Sequence, residues 1–527
     1  MLRTRRSLGG MVTAPHYLAA EAGAQILREG GNAIEAMVAA AATIAVSYPH
    51  MNSIGGDGFW LISLPGRAAI GVQACGPAVA LATPQFYADH GDEAVPSRGP
   101  RAALTVAGAV AGWIEALAIA RQEGGTLPLS ALLANAVRHA RDGIPVPYSL
   151  AARIVRKWDE LADIPGFRET YAAEGQPPEG AIFRQPALAA TLDQLLRAGL
   201  DDFYRGDLAR QLAAGLERGG SPVRLTDLEA YRAQRVEPLS LGLNNGTIYN
   251  MPPPTQGISS MMILGIFERL GVTEAEGFAH LHGVIEATKR AFIYRNRYLG
   301  DPGRMDPAWR NWLSDDLLTL EAAAIDMVRA APWPHPSEPG DTVWMAAADR
   351  NGRMVSYIQS IYWEFGSAFV VPETGVVWQN RGASFTLHDG PNMLEPGCFP
   401  MHTLNPALVR LGDGRVLAYG AMGGDGQPQT QAAIYSRHVI YGQDMQTAIS
   451  APRWVLGRRW GSEPMNLKLE SRFPPELVEA LTRAGHDLDL VEPFDELMGH
   501  AGMLSIDAQG VISGTADPRA DGACVSA

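Results

Sequence analysis

Two hydrophobic periods divide the chain, and their order sets the first expectation. Residues 16–31, "HYLAAEAGAQILREGG", repeat apolar residues at helical spacing, and Gly30–Gly31 supplies the stop. Asn32 is placed to cap a second helix, "AIEAMVAAAATIAVS". "NSIGGDGFWLISLPG" then reads as a Gly-rich turn entering an apolar strand. Residues 103–325 read as predominantly helical, interrupted by "NNGTIYNMPPPTQG" (244–257), a strand followed by a Pro-rich turn. A run containing Pro332, Pro334, Pro336 and Pro339 follows, a structureless tail over 330–341.

From Thr342 the period becomes two. "TVWMAAAD" and "RMVSYIQSIYW" flank Asn351–Gly352, a strong hairpin signal. Further strands are expected in "AFVVPETGVVWQN", "NPALVRLGDGRVLAYGAM" and "AGMLSIDAQGVISGTAD", with one helix, "QPQTQAAIYSRHVIYGQ", among them. Strands at both ends with helices between them predict an α+β arrangement of sheets sandwiched by helices.

Composition narrows the function classes. With 527 residues, 46% hydrophobic and 19% charged, the chain has material for a large layered core. Its net charge of −13 argues against nucleic acid as a partner, because phosphate binding needs a basic surface. Three widely spaced cysteines (Cys75, Cys398, Cys524) form neither a disulfide framework nor a zinc motif, and they fit a reducing compartment. The start, "MLRTRRSLGG", lacks the apolar run of a secretory signal, and Ala36–Val46 is too short to span a bilayer. A cytoplasmic protein with no membrane partner is expected. His280 and His282 stand two apart on a predicted helix and so face apart. There is no P-loop and no dinucleotide fingerprint. Neither a metal nor a cofactor is expected.

One set of segments is more specific. "LREGGNAIEAMVAAAA", "GTLPLSALLANAVRHARDG", "LTDLEAYRAQRVEPL", "MPPPTQG", "YLGDP", "DTVWMAAADRNG", "GAMGGDGQPQTQA", "AISAPRW" and "GTADPR" occur in one order along almost the whole chain. In that order the sequence resembles the γ-glutamyltranspeptidase family of N-terminal-nucleophile hydrolases. The resemblance implies an αββα sandwich, two stacked, mostly antiparallel sheets between helical layers. It also implies an inactive precursor that cuts itself between Asp341 and Thr342, with Asp349 at the family's Thr-x6-Asp spacing. The products would be residues 1–341 and 342–527, two chains of one fold forming an α/β heterodimer, with further oligomerisation open. The Pro-rich tail would be freed by that cut.

The chemistry is coherent. A Thr hydroxyl needs an adjacent base to act as a nucleophile near neutral pH. Once Thr342 is an N-terminus, its own α-amine can serve, because such amines ordinarily titrate at about 7.7–8.0. Folding the hairpin about its turn sets Thr342 opposite Ile361, or opposite Ser360 if the loop takes one extra residue. The family carries a hydroxyl at the position of Ser360 that hydrogen-bonds the nucleophile. For the oxyanion it uses the backbone N–H groups of a Gly pair before a helix, here Gly423–Gly424.

Departures from the transpeptidase pattern shape the expected substrate. The Arg of the family's A-T-R-D stretch is replaced here by Pro84 in "ATPQ". An Asp that holds the substrate's amino group is replaced by Ser384 in "QNRGASF", while Arg381 appears three residues earlier. The family's P-x-S-S-x-S-P stretch is "PMHTLNP", giving His402 and Thr403. Arg381 is a candidate anchor for a plain carboxylate. Of Tyr362 and Trp363, strand alternation lets at most one line the pocket, and Tyr362 is the candidate. The expected partner is a small-molecule acid amide without an α-ammonium group. Oxamate fits, and a shortened pocket favours it over a γ-glutamyl or glutaryl amide. An unprocessed, non-catalytic protein is the alternative of another class.

Overall fold

A computed structural model of the chain describes residues 2–333, 341–457 and 465–527. Most of the expected Pro-rich tail lies outside the described residues.

Two seven-stranded sheets form the centre. The first runs Arg5–Ser7, Ile512–Gly514, Ala501–Ile506, Val416–Ala421, Ala407–Leu411, Gly246–Asn250, Leu239–Leu243. The second runs Ala523–Ser526, Gly10–Ala14, Asp341–Asp349, Met354–Tyr362, Asp57–Ser63, Ile70–Ala74, Gln234–Val236. Every neighbouring pair in both is antiparallel.

Alternation along the strands builds the layers. Trp344, Ala346 and Ala348 turn toward the other sheet and join Phe59, Leu61, Leu408, Ala418 and Leu504 in one buried cluster. Their neighbours Val343, Met345 and Ala347 face the opposite way, into a cluster with the helix Ala33–Ser47. Ala407, Val409, Leu417 and Tyr419 of the first sheet pack outward against the helices Gly257–Arg269 and Phe278–Tyr298. The result is the expected αββα sandwich. Sheet-to-sheet packing leaves room for the Trp344 indole only because Gly420 and Gly502 lack side chains. A Cβ at either would stand 2.3 or 2.4 Å from its ring.

The local signals act as read. Tyr17–Arg28 is a helix, and Asn32 with Glu35 forms a capping box for Ala33–Ser47. Two readings need correction. Leu239–Leu243 is a strand inside the region read as mainly helical. Its Leu-Ser-Leu-Gly-Leu alternation, matched by half-buried and exposed side chains, is a period-two signal only five residues long within a helix-rich region. The strand-rich C-terminal part holds further helices, Met445–Ser450 and Pro475–Ala484, besides Gly426–Tyr435. Residues 330–333, the described start of the expected tail, lie in neither helix nor strand, and their first two residues are hydrogen-bonded to the fold. Ala330 N–H donates to the Ala484 carbonyl, and Ala331 is held at both its N–H, by Glu286, and its carbonyl, by Lys289.

Candidate active site

The hairpin register decides what faces Thr342. Three residues, Arg350–Asn351–Gly352, form the loop, closed by a hydrogen bond from Asp349 N–H to the Arg353 carbonyl at 3.1 Å. Gly352 takes the left-handed conformation (φ +83°) that such a loop requires. The pairs run from Ala348↔Met354 to Val343↔Gln359, and one step further puts Ser360 opposite Thr342. There the ladder slips, and Asp341 pairs with Tyr362. Ser360 and Ile361 thus share the space against Thr342, a bulge of the kind that re-aims side chains. Thr342 Oγ1 donates to Ser360 Oγ at 3.3 Å. Ser360 Oγ also accepts the Tyr362 N–H at 2.8 Å. All three side chains are buried.

Asp349 lies at the other end of its strand. Its carboxylate accepts the Ala33 N–H at 3.0 Å and the Asn351 N–H at 2.9 Å. It therefore fastens the hairpin loop to a helix N-terminus and does not reach Thr342.

The bulge has a second consequence. Tyr362 is held at φ +81°, which a bulky residue rarely adopts and which costs on the order of 1–3 kcal/mol. Its ring supports the guanidinium of Arg381, whose Cζ is 3.7 Å from the ring centroid. A desolvated contact of this kind contributes about 2 kcal/mol, comparable with the strain. Arg381 Nη2 also donates to Thr403 Oγ1 at 3.3 Å. Trp363 turns elsewhere, under Arg98 at 5.4 Å. Ser384 Oγ donates to the Arg381 carbonyl at 3.0 Å and so secures the turn that carries Arg381. It also lines a cavity of about 280 Å³ with Arg295, Asn392, Met401 and Asp425. Pro84 opens the short helix Pro84–Asp89, capped by Thr83.

His402 is engaged with Asp57, a residue with no part in the sequence-based expectations. Its Nε2 is 3.0 Å from Asp57 Oδ2. Burial, then the Arg381 charge, holds His402 well below its ordinary pKa, so it is the neutral imidazole. Asp57 pairs with Ser360 across the next ladder. Its Oδ1 accepts from Gln379 Nε2 at 3.0 Å, Gly108 N–H at 3.1 Å and Gly76 N–H at 3.3 Å. Burial pushes Asp57 up to about 7, and the Arg381 charge and these donors pull against it. Its only sequence signal is an acid at the start of an apolar strand.

Gly423 (φ +117°) and Gly424 (φ +52°) form the turn between the strand Val416–Ala421 and the helix Gly426–Tyr435. Gln256 fixes this turn. Its Nε2 donates to the Gly424 carbonyl at 2.9 Å and the Thr403 carbonyl at 2.7 Å. Arg295 donates to Gln256 Oε1 at 3.0 Å and pairs with Asp425 at 3.1 Å. Gln427, in the first turn of that helix, brings Nε2 to 3.4 Å from Thr342 Oγ1. Gln256 and Gln427 lie within "MPPPTQG" and "GGDGQPQTQA", but no spacing rule marks them out.

His280 and His282 have separate partners. His280 meets Ser436 Oγ, whereas His282 Nδ1 shares a proton with His486 Nε2 at 2.9 Å. His282, Glu286 and His486 place ligand-type atoms within 4.8 Å of one another. Lys289 Nζ, however, sits 2.6 Å from Glu286 Oε1 and already supplies the positive charge. Among the described residues no helix is long and apolar enough to cross a membrane.

The γ-glutamyltranspeptidase family model matches residues 19–527. An oxamate amidohydrolase proenzyme of Klebsiella pneumoniae is 51% identical over 98% of both chains. A glutathione hydrolase-like proenzyme of Bacillus subtilis is 38% identical, again over 98% of both. The crystal structure of a cephalosporin acylase from Bacillus halodurans superposes with a TM-score of 0.91 at 32% identity, covering 100% of this chain and 97% of that one. The chain belongs to the γ-glutamyltranspeptidase family, among the self-processing amidohydrolases of the N-terminal-nucleophile class.

Proposed function

We propose that the chain hydrolyses the amide of a small carboxylate, with oxamate and water giving oxalate and ammonia. In this reading Thr342 Oγ1 first adds to the Asp341 carbonyl. The peptide bond shifts to an ester, and water releases residues 1–341 from 342–527. The freed α-amine of Thr342 then takes the hydroxyl proton as Oγ1 attacks the substrate amide. That proton passes to the departing ammonia, and water resolves the oxalyl ester. Gly423 and Gly424 are assigned the oxyanion, Ser360 the orientation of the nucleophile, and Arg381 the substrate carboxylate. Thr403 and Tyr362 hold Arg381 in place. His402 and Ser384 support the pocket through Asp57 and the Arg381 backbone.

The observation that carries the substrate class is one line of contacts. Arg381 rests on Tyr362, the Tyr362 N–H binds Ser360, and Ser360 binds Thr342. A single aromatic residue and one hydroxyl separate the buried cation from the nucleophile. A buried cation linked to the nucleophile in this way supports a substrate that carries both a carboxylate and an amide. The oxamate amidohydrolase relative supports the same reading.

A second reading, an acylase for a longer acid such as glutaryl, draws on the likeness to the Bacillus halodurans acylase. Ammonia release from oxamate, glutaramate and glutamine, with Thr342→Ala as blank, separates the two. Release from oxamate alone is expected. Release from the longer amides with oxamate inert would overturn the substrate assignment and leave the hydrolase mechanism standing.

A further inference from the structure

The side-chain amide of Gln427 has one orientation available to it. Its Oε1 lies 3.3 Å from the backbone nitrogen of Asn405. A backbone N–H can only donate, so that contact must be made by the carbonyl oxygen of the glutamine. The NH2 end is thereby turned toward Thr342 Oγ1, 3.4 Å away. Asn405 is itself fixed, since its Nδ2 donates to Ser260 Oγ at 2.6 Å and its carbonyl accepts from Gln431 Nε2 at 2.6 Å. Both Gln427 and Asn405 are fully buried, so water does not compete for these groups.

The hydroxyl of Thr342 consequently meets two unlike partners. It donates to Ser360 Oγ, and its oxygen accepts from Gln427 Nε2. As the nucleophile loses its proton, negative charge grows on Oγ1. A donor already aimed at that atom strengthens as the charge develops and needs no reorganisation. Gln427 also stands in the first turn of the helix Gly426–Tyr435, where the positive end of the helix adds to the same field.

We propose that Gln427 is a further catalytic residue, donating a hydrogen bond to the oxygen of Thr342 during both self-cleavage and turnover. This rests on Thr342 being the nucleophile. No proton is transferred by Gln427; it stabilises the oxygen while the proton goes to the Thr342 nitrogen, which becomes the amine as the peptide bond breaks in self-cleavage and is already the amine in turnover.

The test compares Gln427→Glu and Gln427→Met with the parent chain. Glu keeps the shape and the acceptor for Asn405 and loses the donor only when ionised, whereas Met keeps the volume with no donor in any protonation state, so Met is the deciding variant. Self-cleavage is followed on denaturing gels, and kcat and KM with oxamate are measured on cleaved protein, with circular dichroism checking the fold. Loss of one oxyanion donor costs roughly 100- to 1000-fold in kcat, and the longer contact here points to a fall of about 10- to 100-fold. KM should stay within about threefold, and self-cleavage should slow in both variants. A folded, cleaved Gln427→Met chain with kcat within twofold of the parent, or a loss confined to KM, overturns the proposal. Should Gln427→Met not fold, a crystal structure of the cleaved parent decides. Gln427 Nε2 more than about 3.5 Å from Thr342 Oγ1 overturns it. Activity persisting in Thr342→Ala would instead refute the nucleophile assignment.

Discussion

Ser360 Oγ lies 3.3 Å from Thr342 Oγ1 because the hairpin loop takes three residues rather than two and the ladder bulges at its open end. Two sequence-distant hydroxyls are joined by a register choice made at Asn351–Gly352. The same bulge sends the Tyr362 N–H onto Ser360. Removing the Ser360 hydroxyl therefore leaves a buried N–H without its acceptor, at a cost of about 1–3 kcal/mol. Ser360→Ala should cleave itself and turn over roughly 5- to 100-fold more slowly, whereas Ser360→Thr restores most of both rates. Gel-followed processing and initial rates check this. Equal rates in Ser360→Ala would remove the hydroxyl from the mechanism.

Thr342→Ala should remain one uncut chain and release no ammonia. Denatured mass of the purified parent should give fragments matching 1–341 and 342–527. A single intact mass for an active parent would mean that the base is not the Thr342 amine.

Arg381 is buried on Tyr362 and bound to Thr403. On the proposed function, its loss removes a charge-assisted bond to the substrate carboxylate, worth about 1.5–3 kcal/mol. Arg381→Ala should raise KM for oxamate by roughly 10- to 100-fold and leave self-cleavage intact, since the Asp341–Thr342 cut needs no substrate carboxylate. Steady-state kinetics on the cleaved variant measure this, and an unchanged KM would place Arg381 outside the binding site.

Asp57 gives the site a pH response. Burial raises it to about 7, against the pull of Arg381. Around it His402 is neutral, and burial keeps Cys75 and Tyr357 protonated. Below about pH 7 Asp57 is mostly protonated, which on the proposed function leaves the Arg381 charge to the substrate. Above it the carboxylate competes, so KM for oxamate should rise. Stability follows the same titration. The folded chain keeps a proton that the unfolded chain, with an Asp pKa of about 3.9, releases. The Asp57 contribution to stability thus declines as pH rises from about 4 to 7 and then levels off. Asp57→Asn should flatten both profiles. A KM inflection near pH 7 persisting in that variant would assign it to another group.

Lys289 and Glu286 form a pair buried on both sides that also holds Ala331. Lys289→Met leaves a carboxylate without its cation, a change that costs about 3–5 kcal/mol. Chemical denaturation should show that loss, with part of it regained in Lys289→Met combined with Glu286→Leu. A Lys289→Met chain as stable as the parent would show that the pair contributes little.

Elements whose signals are local were legible in the residues alone. Asn32 starts a helix because its side chain caps the backbone N–H groups that follow it, and Asn351–Gly352 makes a hairpin because glycine supplies the left-handed conformation. The ordered family segments were legible too, and with them Thr342, Ser360 and the Gly423–Gly424 turn. Other features depend on long-range packing and emerge only once the chain is folded. Asp349 matches a family spacing yet fastens a loop to a helix, because the strand carries it to the opposite end from Thr342. Asp57, Gln256, Arg295 and Gln427 come from four separated segments, and each acquires meaning only from its partner. Gln427 becomes a donor to Thr342 because a backbone N–H 22 residues away in the chain claims its oxygen. Local periodicity records which face of an element is buried, but not which buried polar groups will meet there.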